Sequence, residues 1–378
     1  MNPDRYPRRI LLCVAGLSPQ IVTETLYALS VIGEPRFVPT EIHLLTTAEG
    51  AERARLTLLS EEPGWFHRLR QDYGLPAIHF TLDAIHILHA ADGRPLSDIR
   101  ELADNEAIAD AITAKVRELT ADSDSAVHAS IAGGRKTMGF YLGYALTLFG
   151  RPQDRLSHVL VSSPFESNPN FFYPAPVERV IFSHGPDQRP LDARDATVML
   201  ADIPFVRLRD GLHETLLREG ASFGDAVRQA QRNLAAPSLT LDATTCRVRC
   251  GETMLRLTPI SFAWLAWFAR RALVGLPPLH WKRIGPVELE AFLAEHRAAL
   301  NDPLADDQHP LIASRRREGI DKAFFEERAS KLKRELSRVL GEPTAARYAP
   351  QRQGNQRLAG HTLGLEPHQI RFVDLEGE

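Results

Sequence analysis

At 378 residues the chain is longer than one hydrophobic core usually covers, and 44% apolar with 25% charged residues is an ordinary globular balance, so two folded domains are expected. The formal net charge of −3 divides unevenly, because from Ala236 onward 21 Lys and Arg stand against 18 Asp and Glu. Three cysteines, Cys13, Cys246 and Cys250, exclude a disulfide framework and lack the second pair that zinc requires, so a reducing cytoplasm, no metal and no cofactor are expected.

The opening "MNPDRYPRRILLCVAGLSPQ" is basic and then apolar in the manner of a signal peptide. Its apolar run is short and breaks at Gly16 without a small-residue cleavage site, so it reads as a first strand. No run reaches the length of a membrane span. From Arg9 to about Phe182, strand-like runs alternate with amphipathic ones: "RILLCVAG", "SPQIVTETLYALSV", "EIHLLTTA", "GAERARLTLLSEEPGWFHRLRQDYG", "AIHFTLDAIHIL", "DIRELADNEAIADAITAKVRELTAD", "AVHASIAG", "KTMGFYLGYALTLFG" and "LSHVLVSSP". This alternation predicts an α/β fold, a mostly parallel sheet with helices on both faces, whose ligands lie beyond the carboxyl ends of the strands.

Three of those strand ends, "AGLSPQIVTET", "LLTTAEG" and "SIAGGRKTMG", pass small or hydroxyl residues into a helix start. Free backbone N–H groups and positive helix ends then point into one crevice, which suits an anion. Gly133 and Gly134 permit close backbone approach, and Arg135 and Lys136 supply charge where a phosphate would lie. The same turn also serves as a plain tight connection, and Ser18 and Thr23 also serve as helix caps. "AGGRKT" lacks the Walker A frame, and neither the dinucleotide glycine fingerprint nor its downstream acid is present, which argues against triphosphate hydrolysis and hydride transfer.

The segments "LLCVAGLSPQIVTETLYAL", "EIHLLTTAEGAERA", "HASIAGGRKTMGFYLGYALTLFG" and "SHVLVSSPFESNPNFFYP", in this order and spacing, resemble the CRISPR-associated Rossmann-fold (CARF) ring nucleases over roughly the first 200 residues. The resemblance implies a Rossmann-like CARF domain at 1–200, a homodimer, and cyclic tetra-adenylate as ligand. It also implies metal-independent cleavage by a ribose 2′-hydroxyl, leaving a 2′,3′-cyclic phosphate and ending type III CRISPR signalling. The protein must then align the 2′-oxygen and stabilise charge on the phosphate. Ser18, Gln20, Arg135 and Lys136 are the catalytic candidates; Gly16, Leu17, Thr23, Thr46, Thr47, Gly133, Gly134 and Thr137 are the ligand-binding ones. Glu24 is a possible base or a solvated helix residue, Arg53 and Arg55 are solvent-facing candidates, and His128 reads better as a satisfied core histidine.

After a helical linker at 201–235, the region 236–378 begins "SLTLDATTCRVRCGETMLRLTPISFAWLAWFARRAL", two short strands and a helix opened by Thr258 and Pro259. Helices through "GPVELEAFLAEHRAAL" and "DKAFFEERASKLKRELSRVLG" and a terminal hairpin through "RYAPQRQGNQRLAGHTLGLEPHQIRFVD" follow. This order resembles a winged helix-turn-helix domain of the response-regulator type. It would place Lys331, Lys333, Arg334 and Arg338 near DNA phosphates with Arg352 and Arg357 on the wing, unless the region serves dimerisation instead. For the HEPN ribonucleases that many relatives carry, Arg357 to His361 is one residue too tight. Arg151 to His158 has that spacing but lies in the sensor half. Two functional classes remain: an enzyme that degrades the messenger, and a messenger-gated DNA-binding regulator or CARF effector.

Overall fold

The computed structural model describes residues 2–97, 101–183, 187–212, 214–217, 221–301, 309–354 and 359–373. It forms two compact units, Met1–Arg209 with Thr215–Val227, and Asp210–Glu214 with Arg228–Glu378.

The first unit contains strands β1 (Arg8–Ala15), β2 (Glu41–Thr46), β3 (Ile85–Ile87), β4 (Ser125–Ser130), β5 (Arg155–Val161), β6 (Val180–Phe182), β7 (Pro190–Asp192) and β8 (Val198–Asp202). Its helices are α1 (Gln20–Tyr27), α2 (Ala48–Ala54), α3 (Trp65–Asp72), α4 (Leu102–Leu119) and α5 (Lys136–Phe149), and the divisions between units fall within α6 (Glu214–Leu217) and α7 (Phe223–Leu234). Six strands form one sheet in the order β3-β2-β1-β4-β5-β8. All neighbours are parallel except β5 and β8. This is a doubly wound, Rossmann-like α/β sheet, as the alternation of runs predicted.

Alternate residues of the central strand serve opposite faces. Leu11, Cys13 and Ala15 pack with Ile42 and Leu44 under Val22 and Leu26 of α1 and Phe66 and Leu69 of α3. Ile10, Leu12 and Val14, on the other face, are equally buried, as are all six residues of β4. Burial on both faces is why β1 reads as a continuous apolar run from Ile10, while β4 holds Ser125, His128 and Ser130 among its buried residues. The run 50–74, expected as one helix, is broken between α2 and α3, where Pro63 cannot continue a helix and Gly64 takes the left-handed conformation (φ 54°). Of "AIHFTLDAIHIL", only Ile85–Ile87 forms a strand.

The second unit holds β9 (Leu239–Asp242), β10 (Arg247–Cys250), β11 (Thr253–Arg256), β12 (Gln351–Gln353), β13 (Gly360–Thr362) and β14 (Ile370–Phe372). Its helices are α8 (Pro259–Leu273), α9 (Pro286–Leu300), α10 (Pro310–Glu318), α11 (Lys322–Leu340) and α12 (Glu342–Tyr348). Trp264, Trp267 and Phe268 of α8 pack with Phe292 of α9 and with Phe325, Leu332 and Leu336 of α11. The expected terminal hairpin forms only in part. β12 pairs antiparallel with β13, but β14 leaves them to run parallel to β9 in a sheet ordered β11-β10-β9-β14. Ile370, buried beside Leu239, gains more there than at an exposed hairpin edge. Among the described residues no helix is long and apolar enough to cross a membrane.

Candidate functional site

The register Ala15↔Thr46 and Cys13↔Ser130 brings the carboxyl ends of β2, β1 and β4 side by side. The strand order reverses between β1 and β4, so the loops leaving them flank the crevice where open α/β sheets hold ligands.

Glycines set the spacing of these loops. A Cβ on Gly133 would lie 2.9 Å from both the Val14 carbonyl oxygen and Ile21 Cγ1, so the loop before α5 rests directly on the end of β1. Gly134 has φ 81°, and its Cα would lie 3.6 Å from a Cβ on Gly16. Gly50, which the sequence reading did not single out, is tighter still: its Cβ would fall 2.1 Å from Thr46 Oγ1 and 2.4 Å from the Gly16 carbonyl oxygen. Its early position in a helix that follows a strand end is the signal that was available.

Two cavities share the wall formed by Ala132, Gly133, Gly134 and His158. One, of about 250 Å³, is also lined by Ser18, Gln20, Glu24 and Glu166. The other, of about 540 Å³, is lined by Arg135, Lys136, Phe140 and Tyr144. The structure therefore gathers Ser18, Gln20, Gly133, Gly134, Arg135 and Lys136 around one glycine turn. Ser18 is exposed and its hydroxyl has no hydrogen-bond partner among the described residues; α1 is capped at Pro19 with no side-chain bond, so Ser18 is not spent as a cap. Gln20 donates Nε2–H to the Pro169 carbonyl at 3.1 Å, while its Oε1 is buried without a partner. Lys136 opens α5, and its ammonium is exposed with no ion pair among the described residues; Arg135 and Thr137 beside it are exposed too. The exposed ring of Phe140 tilts against Tyr144 with centroids 5.7 Å apart.

Other expected ligand residues belong to the scaffold. Thr23 is wholly buried and donates to the Gln20 carbonyl at 2.9 Å, so its hydroxyl faces its own helix. Thr46 is also buried, with Oγ1 3.5 Å from the Gly16 carbonyl oxygen, and Thr47 caps α2 by accepting from Gly50 N–H at 3.2 Å. Gly16 acts through its backbone, and Leu17 is exposed. Arg53 reaches the Leu17 carbonyl at 3.5 Å, whereas Arg55 pairs with Glu52 at 2.6 Å on the outer surface.

Glu24 is the carboxyl group the sequence left ambiguous. It is 9% exposed and has no hydrogen bond or ion pair among the described residues. Burial, with the like charge of Glu166 adding, pushes it up to about 8. Its spacing from Gln20, one helical turn, already placed the two on one face, but the approach of Glu166 from the loop after β5 is a tertiary event.

His128 is a core residue. It shares a 2.7 Å hydrogen bond with Ser157, and burial, helped by Arg155, lowers it to about 3. Arg151 is buried against Asp154 (2.9 Å) and also donates to the Asp122 carbonyl and Ser125. It is therefore a structural cation and forms no ribonuclease pair with His158. Cys13, Cys246 and Cys250 are free and buried, and burial raises all three thiols, which makes them unreactive. In the second unit Lys331, Lys333, Arg334 and Arg338 line the exposed side of α11, with Lys331 2.7 Å from Glu327 and Lys333 3.9 Å from Glu342. Arg352 is exposed on β12, and Arg357 lies outside the described residues.

Sheet order, glycine turn and paired cavities define a Rossmann-like α/β protein with a candidate site in the crevice at its switch point. The sequence model of the family described as CRISPR-associated protein NE0113 (Cas_NE0113) matches residues 18–236, more than half of the chain. The chain belongs to this CRISPR-associated family. Among solved structures, Enterococcus italicus Csm6 bound to cyclic hexa-2′-fluoro-hexa-dAMP is similar at 13% identity and a TM-score of 0.26. The match covers 42% of this chain and 34% of that one, so the chain spans about a third of that protein's length. No curated protein sequence matches the chain.

Proposed function

We propose that this protein is a metal-independent ring nuclease that binds cyclic oligoadenylate, cyclic tetra-adenylate in particular, and cleaves it by 2′-hydroxyl attack. Linear products ending in 2′,3′-cyclic phosphate would switch off type III CRISPR signalling. The observation that carries this reading is the meeting of a Ser18 hydroxyl without a partner among the described residues, the Gly133–Gly134 backbone and the exposed Lys136 ammonium around two adjoining cavities. Membership of a CRISPR-associated family and the sequence likeness to CARF proteins support it. Lys136 and Arg135 neutralise charge developing on the phosphate oxygens, while Ser18 and Gln20 orient the ribose. The cavity beside Phe140 and Tyr144 offers a stacking surface for an adenine. A two-fold homodimer would present this crevice twice to a ligand that is itself rotationally symmetric.

The test is incubation of the purified protein with cyclic tetra- and hexa-adenylate in excess chelator. Products with 2′,3′-cyclic phosphate ends support the reading. Bound but intact ligand makes the protein a sensor, and absence of binding removes the reading altogether.

The second reading, a messenger-gated DNA-binding regulator, is favoured by the exposed row of Lys331, Lys333, Arg334 and Arg338 on α11 ahead of the β12–β13 hairpin. A winged-helix arrangement puts a basic helix and a hairpin at the same duplex. Glu327 and Glu342 beside those lysines weaken the field that DNA would meet.

A further inference from the structure

We infer that Glu24 is the general acid of ring opening, delivering its proton to the 5′-oxygen that leaves the scissile phosphorus; this rests on the ring-cleaving reading above. Gln20 and Glu24 stand one turn apart on α1 and line the same cavity as Ser18, Gly133 and Gly134. A carboxyl kept for structure in so enclosed a place would be hydrogen-bonded or ion-paired, because an unpartnered buried charge is costly. Glu24 has neither among the described residues, although Arg135 and Lys136 open onto the adjoining cavity. The group is thus held in its neutral form rather than discharged by a nearby cation.

The surroundings maintain that form. The groups that line its cavity are Glu166, from the loop after β5, and His158, on β5. Burial first, and the charge of Glu166 second, raise Glu24 to about 8, so at neutral pH it carries the proton an acid must give. Lys136 and Glu24 then have separate tasks: the ammonium meets charge on the non-bridging oxygens, and the carboxyl meets charge on the leaving oxygen.

In the step itself, the 2′-oxygen forms a bond to phosphorus and the bond from phosphorus to the 5′-oxygen breaks. Its electron pair goes to the 5′-oxygen, which takes the Glu24 proton. The proton of the 2′-hydroxyl passes to solvent, and the Glu24 carboxylate regains one from solvent before the next turnover. The products are a 2′,3′-cyclic phosphate and a 5′-hydroxyl.

The experiment compares wild type and Glu24→Gln on cyclic tetra-adenylate and on an analogue with sulfur replacing the 5′-bridging oxygens, since a thiolate leaves without protonation. The glutamine variant is expected to slow cleavage of the oxygen ring by about 10²- to 10⁴-fold, the usual contribution of a general acid, yet to cleave the sulfur ring within a few-fold of wild type. Wild-type single-turnover rates should fall above about pH 8, a limb absent from the variant. Folding is checked separately. In wild type the neutral form is favoured by the fold, so its stabilising effect is complete below about 4.5 and lost as pH rises through about 8. Glu24→Gln should therefore be the more stable protein at alkaline pH. Equal slowing on both rings, or no slowing on the oxygen ring, overturns the assignment. A wild-type protein that binds both rings and cleaves neither overturns the ring-cleaving reading, and the acid with it.

Discussion

The carbonyl oxygen of Val14 lies 2.9 Å from where a Cβ on Gly133 would stand, so strand β1 and the turn before α5 meet backbone to backbone. Gly133→Ala is therefore expected to cost about 1–3 kcal/mol, as overpacking does, and to weaken ligand binding through displacement of the turn. The contrasting substitution is Gly143→Ala on α5, where a Cβ would meet only Leu156 Cδ2 at an ordinary 3.5 Å. That variant should gain about 0.5–1 kcal/mol from the lower chain entropy of alanine. Urea denaturation of both variants checks the opposite signs.

Lys136→Ala should slow single-turnover ring cleavage by about 10²-fold or more, because the ammonium acts on charge that grows in the transition state. A wild-type rate in this variant would remove Lys136 from the mechanism.

Ser18→Ala should reduce cleavage more than binding. Misalignment of the ribose harms the transition state, while backbone contacts to the ground-state phosphate survive. Measured dissociation constants and single-turnover rates separate the two effects, and loss of affinity with normal turnover of bound ligand would make Ser18 a binding residue alone.

Acid should destabilise the fold through His128. Above about 6.5 the imidazole is neutral both folded and unfolded and contributes no pH dependence. As pH falls from there toward about 3, the unfolded chain takes up a proton that the buried ring refuses, so stability declines across that window. His128→Asn should flatten the decline, measured as urea midpoints between pH 7 and 4.

Reversing charge at Lys331, Lys333 and Arg334 together should weaken DNA binding and lessen its salt dependence, since fewer counterions are released. Ring cleavage by the first unit should persist. A wild-type protein not retained on DNA at low salt, with a reversed-charge variant that dissociates into monomers, would assign α11 to assembly.

The strand and helix alternation was legible because β1 is buried on both faces from Ile10 to Ala15 and is apolar there, whereas β4, equally buried, carries Ser125, His128 and Ser130 and is the less obvious strand. The glycine turn and the helix start at Lys136 were legible because Gly133 and Gly134 separate an extended run from a helical one. The hydroxyl residues were harder to place. Thr23, Thr46 and Thr47 have the same chemistry as Ser18, yet they turn inward to cap helices and fill the space between loops, and a single sequence does not report which way a side chain turns. Glu24 shows the converse: its place in the cavity wall depends on residues from the loop after β5, well over a hundred positions away.

A Cβ on Gly50 would fall 2.4 Å from the Gly16 carbonyl oxygen, so the helix start after β2 and the turn after β1 meet with no room for a side chain at Gly50. A larger residue at Gly50 must therefore move backbone, whereas a Cβ on Gly16 would meet Gly134 Cα at an ordinary 3.6 Å. On the ring-cleaving reading, preference for a larger or smaller ring would change at the rim instead, where Leu17, Thr137 and Phe140 are exposed.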